Sequence, residues 1–173
     1  MSTGQDVAAL FHEHNAALHR YLLRLTGGDD ARATDAVQHA FLRLLEAGDD
    51  VRNVRNVRAW LYRVGTNAIH EWTNTAQRRE DLMSEHAHNA PGPKAADAPD
   101  ESLERAERIR AVRAALDELP ERDRIVLLMR EEGFKHREIA EAVGTTTGSV
   151  GTLIARALDR LAGALDLDRA EAS

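Results

Sequence analysis

The stretch that decides the fold is 119-LPERDRIVLLMREEGFKHREIAEAVGTTTGSVGTLIARALDRL-161. Pro120 suits a first helical turn, because the N–H it lacks would be orphaned there anyway, and Glu121 and Asp123 favour the positive end of the same helix. That helix continues through Ile125, Leu128 and Met129, and Glu132-Gly133 breaks it. A short second helix, around 137–143, presents Ile139, Ala140 and Val143 on one side and ends at Gly144. The polar connection 145–149 leads into a third helix whose apolar residues Val150, Ile154, Ala157 and Leu161 fall at helical spacing. With that stripe turned inward, Ser149, Thr152, Arg156 and Arg160 lie nearer the outside. A short helix, a tight turn and a second helix form the geometry that inserts a recognition helix into a major groove, where hydroxyl and guanidinium groups reach phosphates and base edges. The same pattern also fits an ordinary three-helix bundle with a polar face.

At 173 residues the chain has room for one domain or two small ones. A hydrophobic content of 43% excludes a wholly disordered chain, and a formal net charge of −6 argues against a uniformly basic nucleic-acid coat. Without cysteine there is neither a disulfide framework nor a thiolate zinc site. No apolar run approaches the roughly 20 residues that span a bilayer, and the N-terminus lacks a signal-peptide core, so the expectation is a cytoplasmic protein with no membrane insertion.

Upstream, the periodicity predicts three more helices. The first covers about 6–25, with Val7, Leu10, Phe11, Leu18, Tyr21, Leu22 and Leu25 as its stripe; Gly27-Gly28 stops it and Asp29 caps the next. The second carries Val37, Ala40, Phe41, Leu44 and Leu45 inward and ends near Gly48. The third, about 57–79, buries some combination of Val57, Leu61, Val64, Ala68 and Trp72. From 80 to 104 the composition changes to seven acids against the single Lys94, with Pro91, Pro93 and Pro99, which reads as a flexible linker. Helix resumes near Ser102, where Ile109, Val112, Leu116 and Leu119 again show helical spacing. The expected fold is therefore all-α, with two small helical domains joined by a flexible acidic linker and a C-terminal helix-turn-helix. The expected division is 1–79, 80–104 and 105–173.

Charge is unevenly placed within the first domain. Residues 29–50 hold six acids and two arginines, whereas 51–79 hold six arginines and one acid. The basic segment also contains Trp60, Tyr62 and Trp72, a combination that suits single-stranded nucleic acid, since arginines neutralise phosphates and rings stack on exposed bases. Tryptophan at helical spacing equally fits a core.

The run Val57-Arg58-Ala59-Trp60-Leu61-Tyr62-Arg63-Val64, followed by Asn67, resembles the promoter-melting segment of bacterial RNA polymerase sigma factors of the extracytoplasmic-function (ECF) class. Asp35-Ala36-Val37-Gln38-His39-Ala40-Phe41-Leu42-Arg43-Leu44 resembles their core-polymerase-binding helix. Leu119-Pro120-Glu121-Arg122, Glu138-Ile139-Ala140-Glu141 and Gly148-Ser149-Val150 resemble their C-terminal helix-turn-helix. The likeness runs from about residue 6 to 162, in the family's order.

This resemblance implies an alternative sigma factor with no catalytic residue, metal or cofactor of its own. Its N-terminal domain would dock on the clamp helices of the largest subunit of core RNA polymerase, with Asp35, Val37, Gln38, Phe41 and Leu42 facing polymerase or supporting that face; Phe41 is also a core candidate, which favours Gln38 for direct contact. Trp60, Arg63, Asn67 and His70 would lie near the melted −10 strand, where an unstacked base needs an apolar wall and a donor–acceptor pair. The C-terminal domain would read duplex −35 DNA through Arg137, Thr147, Ser149, Thr152, Arg156 and Arg160. An anti-sigma factor is a further implied partner. On bland readings, Trp60 packs the three helices together and Arg63 pairs with an acid of the second helix.

The sequence departs from the family pattern in several places. Thr73-Asn74-Thr75 follows the melting helix where relatives carry a basic run, and His39 replaces a usual acid. Gly151, Leu153, Leu158 and Asp159 stand where lysine or arginine is common, and Lys135 stands where a Ser or Thr cap is usual. Fewer cations imply weaker, less salt-sensitive duplex binding and greater dependence on polymerase contacts, or on a helper, for promoter affinity. Two competing readings remain: a free-standing helix-turn-helix regulator, which leaves 35–67 unexplained, and a sigma-like protein that mainly holds a protein partner, for which Leu153 on a normally basic face is the cue. Signals for an enzyme are poor: His12-Glu13-His14 and His86-Ala87-His88 have metal-like spacing but no further placed ligands, and no Gly-rich phosphate loop is present.

Overall fold

The computed structural model describes residues 3–48, 56–83 and 101–171. Among these residues there are seven helices and no strand: α1 (Thr3–Leu25), α2 (Asp30–Ala47), α3 (Val57–Met83), α4 (Glu101–Glu118), α5 (Glu121–Glu131), α6 (His136–Val143) and α7 (Thr147–Glu171). The chain divides into two compact units, 1–92 and 93–173. Most of the acidic stretch expected to act as a linker, residues 84–100, lies outside the described residues, as do His86 and His88.

In the first unit α1, α2 and α3 pack against one another. Local chemistry sets their ends. Gly27 and Gly28 adopt φ of 68° and 94°, and the Gly28 N–H reaches back to the Leu23 carbonyl at 2.8 Å, which closes α1. The Asp29 carboxylate accepts from the Arg32 N–H at 3.0 Å and caps α2, as its position in the sequence predicts. Asn56 does the same for α3 by accepting from the Ala59 N–H at 3.0 Å, a cap that periodicity does not single out. The small side chains Ala33, Ala36 and Ala40 on the inner face of α2 allow close helix approach. Gly65 does so on α3, where an added Cβ would stand 3.0 Å from Leu22 Cδ1.

Leu18, Tyr21, Leu22 and Leu25 of α1 meet Val37, Phe41 and Leu44 of α2 and Leu61, Tyr62 and Ile69 of α3 in the core. Two expectations need correction. Leu45 faces outward at 47% exposure, and Phe11 is exposed while its ring packs edge-on against Phe41 at 4.9 Å. Of the combination expected inside on α3, Leu61 and Ala68 are buried, while Val57, Val64 and Trp72 are half-buried. Tyr62 is fully buried against Tyr21, ring centroids 4.8 Å apart, and so is no stacking platform for a base.

In the second unit α7 packs against α4, α5 and α6 around Val126, Met129, Phe134, Ile139, Val150 and Ala157. Pro120 is the cap of α5 rather than part of its first turn: its ψ of 138° is extended, and its carbonyl accepts from the Asp123 N–H at 2.9 Å. Gly133, at φ 82°, turns the chain so that the Phe134 N–H bonds the Met129 carbonyl and the ring enters the core. Gly144, at φ 64°, ends α6 in the left-handed conformation that the sequence position implies. The next helix begins at Thr147, so Thr147 and Ser149 lie in its first turn rather than in a loop. Among the described side chains of α4 only Ala115 is buried, as is the following Leu119; Ile109 and Val112 of the expected stripe are exposed.

Candidate polymerase and nucleic-acid interfaces

On α3, Trp60, Arg63, Asn67 and His70 follow one another at steps of three or four residues and therefore line one side of the helix. Trp60 and Arg63 are half-buried, whereas Asn67 and His70 are exposed. His70 Nε2 lies 2.9 Å from Asn74 Nδ2, one turn on. Among the described residues no ion pair joins Arg63 to an acid of α2. The inward side of α3 is fixed: Leu61, Tyr62, Ala68 and Ile69 are buried, and Thr66, 2% exposed and flanking the Arg63–His70 row, shares a buried hydrogen bond of 2.8 Å with Tyr21. Near its C-terminal half, Arg32 Nη2 of α2 donates to Thr73 Oγ1 at 2.8 Å, and Thr73 in turn donates to the Ile69 carbonyl at 2.9 Å. Thr73, which stands where relatives carry a basic run, is thus a fastening point between helices.

The expected polymerase-binding residues fall into two layers of α2. Asp35, Gln38 and Leu42 are set apart from Val37 and Phe41, which lie in the core beneath them; Leu42 is 57% exposed. Val37 and Phe41 are 3% and 5% exposed. Beside Gln38, a groove of about 470 Å³ opens between α1 and α2, lined by Phe11, Asn15, His19, Thr34, Val37 and Gln38. His19 Nε2 lies 3.2 Å from Asp30 Oδ1 and ties the two helices at the groove's end. His39 is half-buried, with its ring 6.0 Å from that of Trp72.

In the helix-turn-helix, Arg137, Thr147, Ser149, Thr152, Arg156 and Arg160 are all exposed. Ser149 Oγ hydrogen-bonds Thr146 Oγ1 at 2.8 Å, and Arg137 Nε is 3.6 Å from Glu141 Oε1. Leu153 is buried and belongs to the core, because the start of α7 at Thr147 puts it on the same inner side as Val150 and Ala157; it offers no surface to a protein partner. Lys135 caps α6 with no acceptor of its own, as the sequence implies, yet Glu138 supplies half a capping box by accepting from the Lys135 N–H at 2.7 Å. Asp123 is the functional-region residue that sequence reasoning underrated. It is 2% exposed, accepts a hydrogen bond from Arg160, and lies 4.0 Å from Arg156 Nη2. The sequence shows two arginines one turn apart, but not the acid on another helix that they share.

Among the described residues no cluster of three or more His, Asp or Glu side chains is placed to hold a metal ion. None of the described helices is long and apolar enough to cross a membrane.

Known proteins match both units. Sigma-70 region 2 matches residues 10–85, and Sigma-70 region 4 matches residues 109–161. The ECF RNA polymerase sigma factor SigL of Mycobacterium tuberculosis is 33% identical over 144 residues, covering 82% of this chain and 78% of that protein. The ECF RNA polymerase sigma factor EcfG of Rhodopseudomonas palustris is 30% identical over 156 residues, covering 90% of this chain and 82% of the relative. Among solved structures, the fold matches the sigma factor RpoE of Bartonella quintana, in complex with the anti-sigma factor NepR, at a TM-score of 0.71 and 20% identity over 95% of this chain and 99% of that one. CnrH in complex with the cytosolic domain of CnrY matches at 0.66 and 26% identity, over 95% and 90%. With a three-helix unit that matches region 2, a helix-turn-helix that matches region 4, and SigL and EcfG as relatives along most of its length, the chain belongs to the extracytoplasmic-function sigma factors, alternative sigma factors that direct RNA polymerase to promoters.

Proposed function

We propose that this sigma factor divides its work among three side-chain sets, with residues 1–79 for polymerase docking and −10 melting, 105–173 for −35 recognition, and 80–104 as the connection between them, whose first and last four residues continue α3 and begin α4. Asp35, Gln38 and Leu42 make the contact with the polymerase clamp helices, and Val37 and Phe41 hold that face in shape from below. Trp60, Arg63, Asn67 and His70 receive the melted −10 strand. Arg137, Thr147, Ser149, Thr152 and Arg156 approach the −35 duplex. The observation that carries the reading is the two-sided character of α3, whose Trp60-to-His70 side is half-buried to exposed while Leu61, Tyr62, Ala68 and Ile69 lock the other into the core.

The mechanism is one of differential binding. Docking on polymerase places α3 at the edge of the future bubble, and capture of an unstacked base then stabilises melted DNA over duplex. Trp60 supplies an apolar wall, Arg63 a phosphate partner, and the Asn67 amide both a donor and an acceptor. Sigma factors as a family are not enzymes; this one catalyses nothing, and polymerase performs the phosphoryl transfer. It acts in the cytoplasm, and it is held by an anti-sigma factor, as RpoE is by NepR. A free-standing regulator would leave the region 2 match over residues 10–85 without a use.

Run-off transcription with core polymerase, paired with a pull-down of core enzyme, tests this assignment. Asn67→Ala should retain core binding and lower open-complex formation about tenfold, the effect of roughly 1.4 kcal/mol. Equal loss of core binding and of transcription would mean that Asn67 supports the fold instead.

A further inference from the structure

Asp123 is a buried carboxylate with two guanidinium groups brought to it from another helix. It sits in the first turn of α5, where the helix end favours negative charge, and its side chain is 2% exposed. A carboxylate so placed must be paired and hydrogen-bonded, because stripping water from an unpaired charge costs several kcal/mol or more. Arg160 meets that need through a hydrogen bond to Oδ2, whereas Arg156 Nη2 stands 4.0 Å from Oδ1, within ion-pair range but beyond hydrogen-bond reach. Both arginines remain about half exposed. One negative charge thus faces two positive ones on the side of α7 that also carries Ser149 and Thr152.

We infer that Asp123 is a positioning residue for −35 recognition: it withholds Arg160 from DNA and leaves Arg156 as the one cation this part of α7 delivers to a phosphate. The inference rests on the reading of α7 as the −35 helix. Its consequence is that the two arginines are not independent contacts. With Arg160 gone, the Asp123 charge falls to Arg156 and withdraws it; with Asp123 neutral, both arginines reach the duplex.

The test measures binding of holoenzyme, built from full-length protein and core polymerase, to a promoter duplex as a function of salt. Each phosphate neutralised contributes about −0.9 to the slope of log K against log salt. Arg156→Ala should make the slope shallower by about 0.9, Arg160→Gln should do the same, and the double variant should lose about 0.9 and not twice that. The amide introduced by Arg160→Gln can still donate to Asp123, so this series does not leave the carboxylate without a hydrogen bond. Asp123→Asn, if its thermal melt shows it folded, should steepen the slope by about 0.9 and raise affinity for a scrambled duplex, while Asp123→Glu should restore the original slope. Additive loss in the double variant, or an unchanged or shallower slope for Asp123→Asn alongside a normal Arg156→Ala effect, overturns the role of Asp123 alone. If Arg156→Ala leaves the slope untouched, the reading of α7 as the −35 helix falls and the inference with it.

Discussion

Thr66 is the residue on which the presentation of the melting helix turns. It is the polar group buried deepest in α3, one position before Asn67, and its hydroxyl meets that of Tyr21 across the core at 2.8 Å. A hydrogen bond in this setting contributes about 1 kcal/mol net, and leaving one partner without its mate costs about 1–3 kcal/mol. The bond joins α3 to α1 in the turn that carries Asn67, beside the buried Leu61, Tyr62, Ala68 and Ile69 that fix which side of α3 faces inward. Tyr21→Phe and Thr66→Val should each lower stability by about 1 kcal/mol in urea denaturation, while the pair together should cost clearly less than the sum. Strict additivity would mean that the two hydroxyls are not energetically coupled. Neither residue is visible as a polar pair in the sequence, where Tyr21 reads simply as part of an apolar stripe and Thr66 carries no signal. Periodicity reports which side of a helix is inward, but the partner that an inward hydroxyl meets 45 positions away is a product of tertiary packing.

The second helix of the helix-turn-helix is the element whose sequence is least suited to its start. Lys135 has the extended backbone of a capping residue, with φ −75° and ψ 154°, but an ammonium cannot accept the hydrogen bond that a cap provides. Glu138 answers only the Lys135 N–H, so the opposite half of the capping box is missing. Lys135→Ser completes it. The substitution should stabilise the protein by about 0.5–1 kcal/mol, read as a raised melting temperature, provided Glu138 is present; combined with Glu138→Ala the gain should shrink. A lowered melting temperature would show that Lys135 has a stabilising role greater than a cap. This element is legible in outline: the Gly133 break, the Ile139-Ala140 face and the Gly144 stop all appear where the periodicity puts them. Phe134 does not, because a single aromatic in a turn has no period, and its burial follows from the turn that Gly133 makes. Leu153 is misjudged for a related reason. A family position suggests an outer residue, whereas the helix phase set by Val150 and Ala157 takes it inside. On α4 the error runs the other way: Ile109 and Val112 have core spacing but meet no core, since among its described side chains only the end of that helix is buried against its unit.

For the molecule as a whole, charge decides how promoter affinity must be assembled. The net charge of −6 opposes a polyanion at long range, and six of the arginines of the first domain lie within 51–79, the segment that contains the side chains proposed to receive the melted strand. Beside Arg137 and Arg156, the cations proposed to approach the −35 duplex, the exposed Lys135 at the start of α6 is a third cation of the same helix-turn-helix that can serve it. Arg137 has Glu141 within 3.6 Å, and Arg160 is held by Asp123. Three phosphate contacts correspond to a salt slope of about −2.7, and Gly151, Leu158 and Asp159 add none where the family commonly places lysine or arginine. The free full-length protein should therefore bind a promoter duplex weakly, with a slope no steeper than about −3, and scarcely better than it binds a scrambled one. Bound to core polymerase, the same three contacts become intramolecular additions to a complex already on the DNA, so a modest local affinity suffices to choose among sites. Parallel titrations of free protein and holoenzyme on one duplex across a salt series check this. Tight binding by the free protein with a slope of about −6 or steeper would locate its promoter affinity in cations other than these three and would remove the need for polymerase to supply it.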